Sequence, residues 1–184
     1  MNERQAIIDE LEKNFSAVSE KELDGLIDMI ERAKKVFFFS RGREMMMLSA
    51  FAMRVFHMGY DAYVVGEPHV PPIGKDDILI MSLGAGSSPW MGTSMAQLEA
   101  ARNAGAAIAV LSAHPELVPK TVNYVVHIPG QTMLEKPDSM ISIQPMGAPY
   151  EQALLVTLDY TVKRMMLRNN WKETDLSCRH TNME

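Results

Sequence analysis

Cysteine is almost missing from this sequence: Cys178 is the only one in 184 residues, so no disulfide can form within the chain. Long apolar runs are missing too. No stretch approaches the roughly 18 uninterrupted apolar residues of a membrane span, and the opening Met1-Asn-Glu-Arg-Gln has none of the apolar core of a secretion signal. These absences predict a cytoplasmic protein without a membrane partner. Positive charge is also scarce. With 18 Lys and Arg against 23 Asp and Glu, the formal net charge is −5. A nucleic-acid face needs clustered cations to displace counter-ions from phosphates, so a small-molecule ligand is expected instead.

What is present fits one globular domain. The chain is 47% hydrophobic and 22% charged, far from the regime in which chains stay disordered, and its length suits one core over residues 1–184. No internal repeat or low-complexity segment interrupts it. The 16 methionines are read as filling gaps in a core or subunit interface, including Met45–Met47 and Met165–Met166 on predicted helices.

Apolar spacing predicts helices over 3–17 (Ile7, Ile8, Leu11, Phe15) and 19–33 (Leu23, Leu26, Ile27, Ile30). Val36-Phe-Phe-Phe39 reads as a buried strand, Ser40–Glu44 as a turn, and 45–58 as a helix closed by Gly59. Further strands are predicted at 61–65, 78–82, 107–112 and 122–128, a helix at 93–103, a short helix between the last two strands, and a long helix at 150–169. Near-continuous apolar strands alternating with helices predict an α/β fold: a parallel sheet covered on both faces. Residues 129–147, rich in Pro and Gly, are read as a flap over a site.

In such a sheet the ligand binds beyond the carboxyl ends of the strands. Three loops meet there. The first, Ser40-Arg-Gly-Arg-Glu44, offers Arg41 and Arg43 as forked donors for an oxyanion, or as ion-pair partners of Glu44. The second carries Glu67 and His69, which suit acid and base roles, a shared divalent metal, or local hydrogen bonding. The third, Gly84-Ala85-Gly86-Ser87-Ser88 with Trp90, is either an anion-binding turn or merely a tight one. Glu151 opens the last long helix, where the helix dipole already favours a carboxylate. His180 lies in a polar tail whose composition predicts fraying. His57, His114 and His127 are read as helix-surface, loop and strand residues.

Ser40-Arg-Gly-Arg, Ala50-Phe-Ala-Met-Arg-Val-Phe-His-Met-Gly59, Tyr63-Val-Val-Gly-Glu67, Asp77-Ile-Leu-Ile, Gly84-Ala-Gly86 and Val126-His-Ile-Pro-Gly130 together resemble the 6-phospho-3-hexuloisomerases of the sugar isomerase (SIS) superfamily. Pro145-Met-Gly-Ala-Pro-Tyr-Glu151 is similar to that family's Pro-x-Gly-[Ser/Thr]-x-[Phe/Tyr]-Glu segment, and Arg179-His-Thr-Asn-Met-Glu184 to its terminus. The resemblance implies a single SIS-type domain with a five-stranded parallel sheet, and a tetramer with shared sites. The helices at 3–33 and the segment 150–184 would then serve assembly. It also implies sugar isomerisation through an enediol without a nucleotide cofactor. Glu151 would be the base, His180 of a neighbouring chain would assist ring opening or proton transfer, and Glu67 would line the cleft.

The sequence departs from the family at its phosphate loops. Glu44 stands where the family has a phosphate-holding serine, and Gly84-Ala-Gly-Ser-Ser88 replaces a turn richer in hydroxyls. Fewer donors and an added anion weaken phosphate binding. The sequence therefore predicts an aldose–ketose isomerase of a hexose with an anionic C6 group, with Arg41, Gly42, Arg43, Gly84, Ala85, Gly86, Ser87 and Ser88 binding it. Sulfoquinovose going to 6-deoxy-6-sulfofructose is placed slightly ahead of a 6-phospho-3-hexuloisomerase reaction. A divalent cation on Glu67, His69, Glu151 and His180 would polarise the sugar. A non-catalytic SIS module sensing a sugar phosphate is the rival class, disfavoured by the absence of a DNA-binding domain.

Overall fold

A computed structural model describes residues 2–86, 91–135 and 142–183. In chain order its helices are α1 (Glu3–Ser16), α2 (Glu20–Arg32), α3 (Gly42–His57), α4 (Gly92–Asn103), α5 (Ala148–Arg168) and α6 (Glu173–Ser177). The strands are β1 (Lys35–Phe39), β2 (Asp61–Val64), β3 (Ile78–Ser82), β4 (Ala107–Ser112) and β5 (Tyr124–His127). They form the expected five-stranded sheet in the order β2-β1-β3-β4-β5, with every pairing parallel.

The strands are apolar on both faces because helices cover both. Their two-residue period sends Val36, Phe38, Ile78, Ile80, Ala109 and Leu111 into one core cluster and Phe37, Phe39, Leu79, Met81, Ile108 and Val110 into the other. The first cluster packs against α2, α3 and α5, the second against α4. Phe38 meets Phe51 of α3 edge to face at 5.7 Å, a geometry that adds roughly 0.5–1.5 kcal/mol beyond area burial.

Local sequence explains the helices. The Ser19 hydroxyl accepts the Glu22 N–H and caps α2, whose Leu23, Leu26, Ile27 and Ile30 are buried at helical spacing. Burying each such side chain contributes about 1.5–3 kcal/mol. Arg164 and Arg168 of α5 reach Glu20, Asp24, Asp28 and Glu31 of α2; these pairs are exposed and add little individually. Outside this layer α1 rests on α5, with Phe15 edge-on to Tyr160 at 5.5 Å.

Some boundaries differ from expectation. Helix α3 begins at Gly42 rather than Met45, and α5 at Ala148 rather than Tyr150, because the leading residues of each carry no apolar periodicity. The short helix before β5 is a single 3₁₀ turn, Pro115–Leu117. The expected flap 129–147 lies partly outside the described residues, at 136–141.

The start of the polar tail is helical and packed. Leu176 is buried, α6 forms, and the chain folds back on α3. The Arg179 guanidinium lies over the Phe56 ring at 5.9 Å, and the His180 and His57 ring centroids are 5.3 Å apart. His57 is therefore a correction: expected on the helix surface, it is buried. Burial and the charges of His180 and Arg54 hold its imidazole below the usual range.

Candidate active site

The crossover through α3 carries the chain from β1 outward to β2, whereas α4 carries it from β3 the opposite way to β4. The carboxyl ends of neighbouring β1 and β3 therefore diverge into a crevice, the place where open α/β sheets bind ligands. Ser40 ends the β1 side, and Ser82, Leu83 and Gly84 end the β3 side.

Glu44, in the first turn of α3, reaches into this crevice. Its Oε2 accepts hydrogen bonds from the Ser82 hydroxyl at 2.5 Å and the Gly84 N–H at 3.1 Å, with the Ser40 hydroxyl at 3.3 Å. A Cβ on Gly84 would lie 2.5 Å from the Tyr150 ring and 2.7 Å from Glu44 Oε1, so only glycine admits both. Among the described residues no cation makes an ion pair with Glu44. Burial pushes its carboxyl up from the ordinary range, the three donors oppose this, and the charge of Glu151 adds to it.

Tyr150 is fully buried beneath the crevice. Its Oη lies 2.9 Å from Ser82 Oγ and donates to the Leu111 carbonyl at 3.1 Å. Burial, then the Glu44 charge, pushes the phenol well above its usual range. Glu151 follows on the first turn of α5 and is largely buried, with Arg43 Nη1 2.9 Å from its Oε2. That pair is electrostatic rather than a well-aligned hydrogen bond: among the described residues Oε2 finds no hydrogen-bond donor. The entry to α5 is tightly built. Met146 adopts a left-handed φ of 53°, and Gly130, at φ 154°, passes so close that a Cβ there would lie 2.6 Å from Tyr150 Cα.

The structure thus brings together Arg43, Gly84 and Glu151 of the predicted set. Arg41 is the exposed residue preceding α3, Gly42 begins that helix, and Ala85 and Gly86 continue the turn after β3. Ser87, Ser88 and Trp90 lie outside the described residues. Glu67 and His69 meet each other, with Oε2 and Nε2 3.7 Å apart, but on the exposed turn after β2. His180 sits on His57 of its own chain.

Glu67, His69, Glu151 and His180 do not fit one metal ion within a single chain. Glu151 already faces a guanidinium, and among the described residues no group of three or more His, Cys, Asp or Glu is gathered for a cation.

Sequence reasoning gave no role to Ser40, Ser82 or Tyr150. All three look like ordinary core or strand-end residues until the strand ends are juxtaposed. His114 was likewise read as a plain loop residue. Its Nε2 lies 3.0 Å from Glu135, which also accepts the Thr132 N–H and hydroxyl at 2.7 and 2.6 Å. This clip ties the segment after β5 to the rim.

The sheet order β2-β1-β3-β4-β5 and the crevice between β1 and β3 define a class, the doubly wound parallel α/β folds that bind ligands at a switch point. No family model matches the chain. It is 30% identical over 179 residues to a 3-hexulose-6-phosphate isomerase of Bacillus subtilis, covering 97% of this chain and 95% of that protein. It is 34% identical over 161 residues to one of Methanocaldococcus jannaschii, covering 88% and 83%. A crystal structure from Methanococcus jannaschii, described as implying a 3-hexulose-6-phosphate isomerase function, shares 30% identity and superposes with a TM-score of 0.76 over 99% of this chain and 97% of that one. The chain belongs to the 3-hexulose-6-phosphate isomerase family of SIS-domain sugar isomerases.

No helix among the described residues is long and apolar enough to cross a membrane.

Proposed function

We propose that this chain interconverts an aldose and a ketose, or two ketoses, of a hexose whose C6 carries an anionic group, with Glu151 moving a proton between adjacent carbons through an enediol. The observation that carries the reading is the position of Glu151. It stands on the first turn of α5, largely buried, with Arg43 as its counter-ion and no hydrogen-bond donor on Oε2 among the described residues. Paired with a half-exposed guanidinium rather than locked in a hydrogen-bond network, this carboxylate can serve as a general base to a substrate positioned beside it. The names of the relatives favour a 6-phosphate, which makes a 6-phospho-3-hexuloisomerase reaction the leading reading.

A sulfonated hexose, sulfoquinovose isomerised to 6-deoxy-6-sulfofructose, is a second reading favoured by one observation. Glu44 occupies donors at the β1/β3 crevice, and its charge opposes a phosphate dianion more than a sulfonate monoanion. Arg41, Gly42, Arg43, Gly84, Ala85, Gly86, Ser87 and Ser88 would surround the head group in either case.

Glu67 would line the cleft and His180 of a neighbouring chain would assist ring opening, within a homo-oligomer, a tetramer by resemblance. A divalent ion on Glu67 and His69, completed from another chain, is testable by metal analysis of purified protein. Incubation with hexulose 6-phosphate, fructose 6-phosphate and sulfoquinovose, each with and without chelator, separates the readings. Turnover of one sugar identifies the substrate class, and activity unaffected by chelation in metal-free protein removes the cation. Binding of sugar phosphate without turnover of any of the three would favour a sensor.

A further inference from the structure

Residues 130–135 frame the entry to α5, on whose first turn Glu151 stands. The Gln131 carbonyl accepts the Tyr150 N–H at 3.3 Å, and the Gly147 carbonyl accepts the Glu151 N–H at 3.0 Å. Gly147 lies directly against the frame: a Cβ there would sit 3.3 Å from the Met133 nitrogen and 3.7 Å from Thr132 Cα. Apolar packing does little to hold these residues in place. Met133 and Leu134 are 58% and 45% exposed, so the burial that anchors an ordinary segment is largely missing.

Glu135 supplies the hold instead. Its Oε2 accepts the N–H and hydroxyl of buried Thr132 at 2.7 and 2.6 Å, and its Oε1 lies 3.0 Å from His114 Nε2. With its side chain only 17% exposed, this carboxylate has given up most of its water and depends on those partners. His114 is in turn fixed to the rim of the sheet. Its N–H donates to the Ser112 hydroxyl at 3.0 Å, that hydroxyl donates to the Leu83 carbonyl at 2.7 Å, and the His114 carbonyl accepts the Leu117 N–H at 3.0 Å. The imidazole is therefore mounted on the ends of β3 and β4, and the 130–135 frame hangs from it through one carboxylate.

We propose that His114 and Glu135 are positioning residues for Glu151: the pair braces residues 130–135 against the sheet and thereby fixes the first turn of α5, from which the base reaches the substrate. This inference rests on the isomerase reading. The path is a run of contacts, from His114 to Glu135, from Glu135 to Thr132, from Thr132 and Met133 to Gly147, and from the Gly147 carbonyl to the Glu151 N–H. Neither residue touches the substrate in this role. A base must meet its proton within hydrogen-bond reach, and a misplacement of about 1 Å from a change far from the chemistry can cost about 10²-fold in rate. The body of α5 is held separately by its buried residues, so the brace governs where Glu151 sits more than whether the protein folds.

The test compares His114→Ala and Glu135→Ala with His114→Gln, whose side-chain amide can still donate to Glu135, all in the full-length protein. Turnover of whichever sugar the wild type converts is measured together with thermal melting and hydrogen exchange at the Thr132 and Tyr150 amides. Both alanine variants are expected to lose about 10–10²-fold in kcat, with KM changed less than about threefold at an unchanged melting temperature and faster exchange at both amides. His114→Gln should stay within about threefold of wild type, and the double alanine variant should be no worse than the poorer single one, since the two residues act as a unit. Wild-type kcat in the alanine variants, or a loss that only tracks a lowered melting temperature, would overturn the role. So would a His114→Gln variant as slow as His114→Ala, which would give the imidazole a direct part in the chemistry. Should His114→Ala not fold, His114→Asn, too short to reach Glu135, carries the same comparison. Unchanged exchange in the alanine variants removes the brace whatever the turnover, whereas a wild type inert towards every sugar removes the isomerase reading and this role with it.

Discussion

Glu44 Oε2 and Ser82 Oγ lie 2.5 Å apart, joining the first turn of α3 to the end of β3. By the resemblance drawn from the sequence, Glu44 stands where a serine would be expected to hold phosphate. Here the protein's own carboxylate takes donors that an anion would use, and the charge of the site is set from within.

Replacing Glu44 by Ser should reopen the crevice to anions. Inorganic phosphate is expected to raise the melting temperature of Glu44→Ser more than that of the wild type, since a ligand binding only the folded state stabilises it by mass action. Calorimetric titration with phosphate provides the direct check, and equal responses from the two proteins would sink the prediction.

Glu151→Gln should reduce kcat by about 10²–10⁴-fold. The fold should persist, because α5 is held by the many buried residues along its length rather than by the half-exposed Arg43 pair. Circular dichroism and turnover of the same preparation separate the two effects.

Gly84→Ala places a methyl group 2.5 Å from the Tyr150 ring and 2.7 Å from Glu44 Oε1. Overpacking of this kind costs about 1–3 kcal/mol. The expected outcome is a lower denaturation midpoint together with impaired activity; a neutral variant would mean that the crevice relaxes freely.

Stability should depend on pH through Glu44. Its folded-state pKa is raised by burial above the unfolded value, so over the window between the two the folded state binds more protons than the unfolded one. Stability from this group is present at low pH and lost as pH rises through the folded-state value. His57, held down by burial in the folded state, acts in the opposite direction: stability is lost as pH falls through the ordinary histidine range. Melting temperatures of the wild type, Glu44→Gln and His57→Gln across mildly acidic to neutral pH should show one slope vanish in each variant.

The layers of this protein were legible from sequence because hydrophobic periodicity is a local property. Val36–Phe39, Ile78–Ser82 and Ala107–Ser112 are continuous apolar runs bounded by turns, and α2 advertises its buried stripe at Leu23, Leu26, Ile27 and Ile30. The substitution at Glu44 and the role proposed for Glu151 came instead from the resemblance to a family, since the helix dipole alone accounts for a carboxylate at the start of α5.

What Glu44 touches was decided only by the tertiary structure. Ser40, Ser82, Gly84 and Tyr150 are spread over 110 positions of sequence separation and converge only because parallel pairing puts the carboxyl ends of β1 and β3 side by side. The burial of His57 under His180 has the same origin, since nothing in the spacing of α3 announces a tail returning from residue 180. Side-chain periodicity is set by each element's own geometry, whereas the protonation, pairing and exposure of a polar group are set by whatever the fold brings against it.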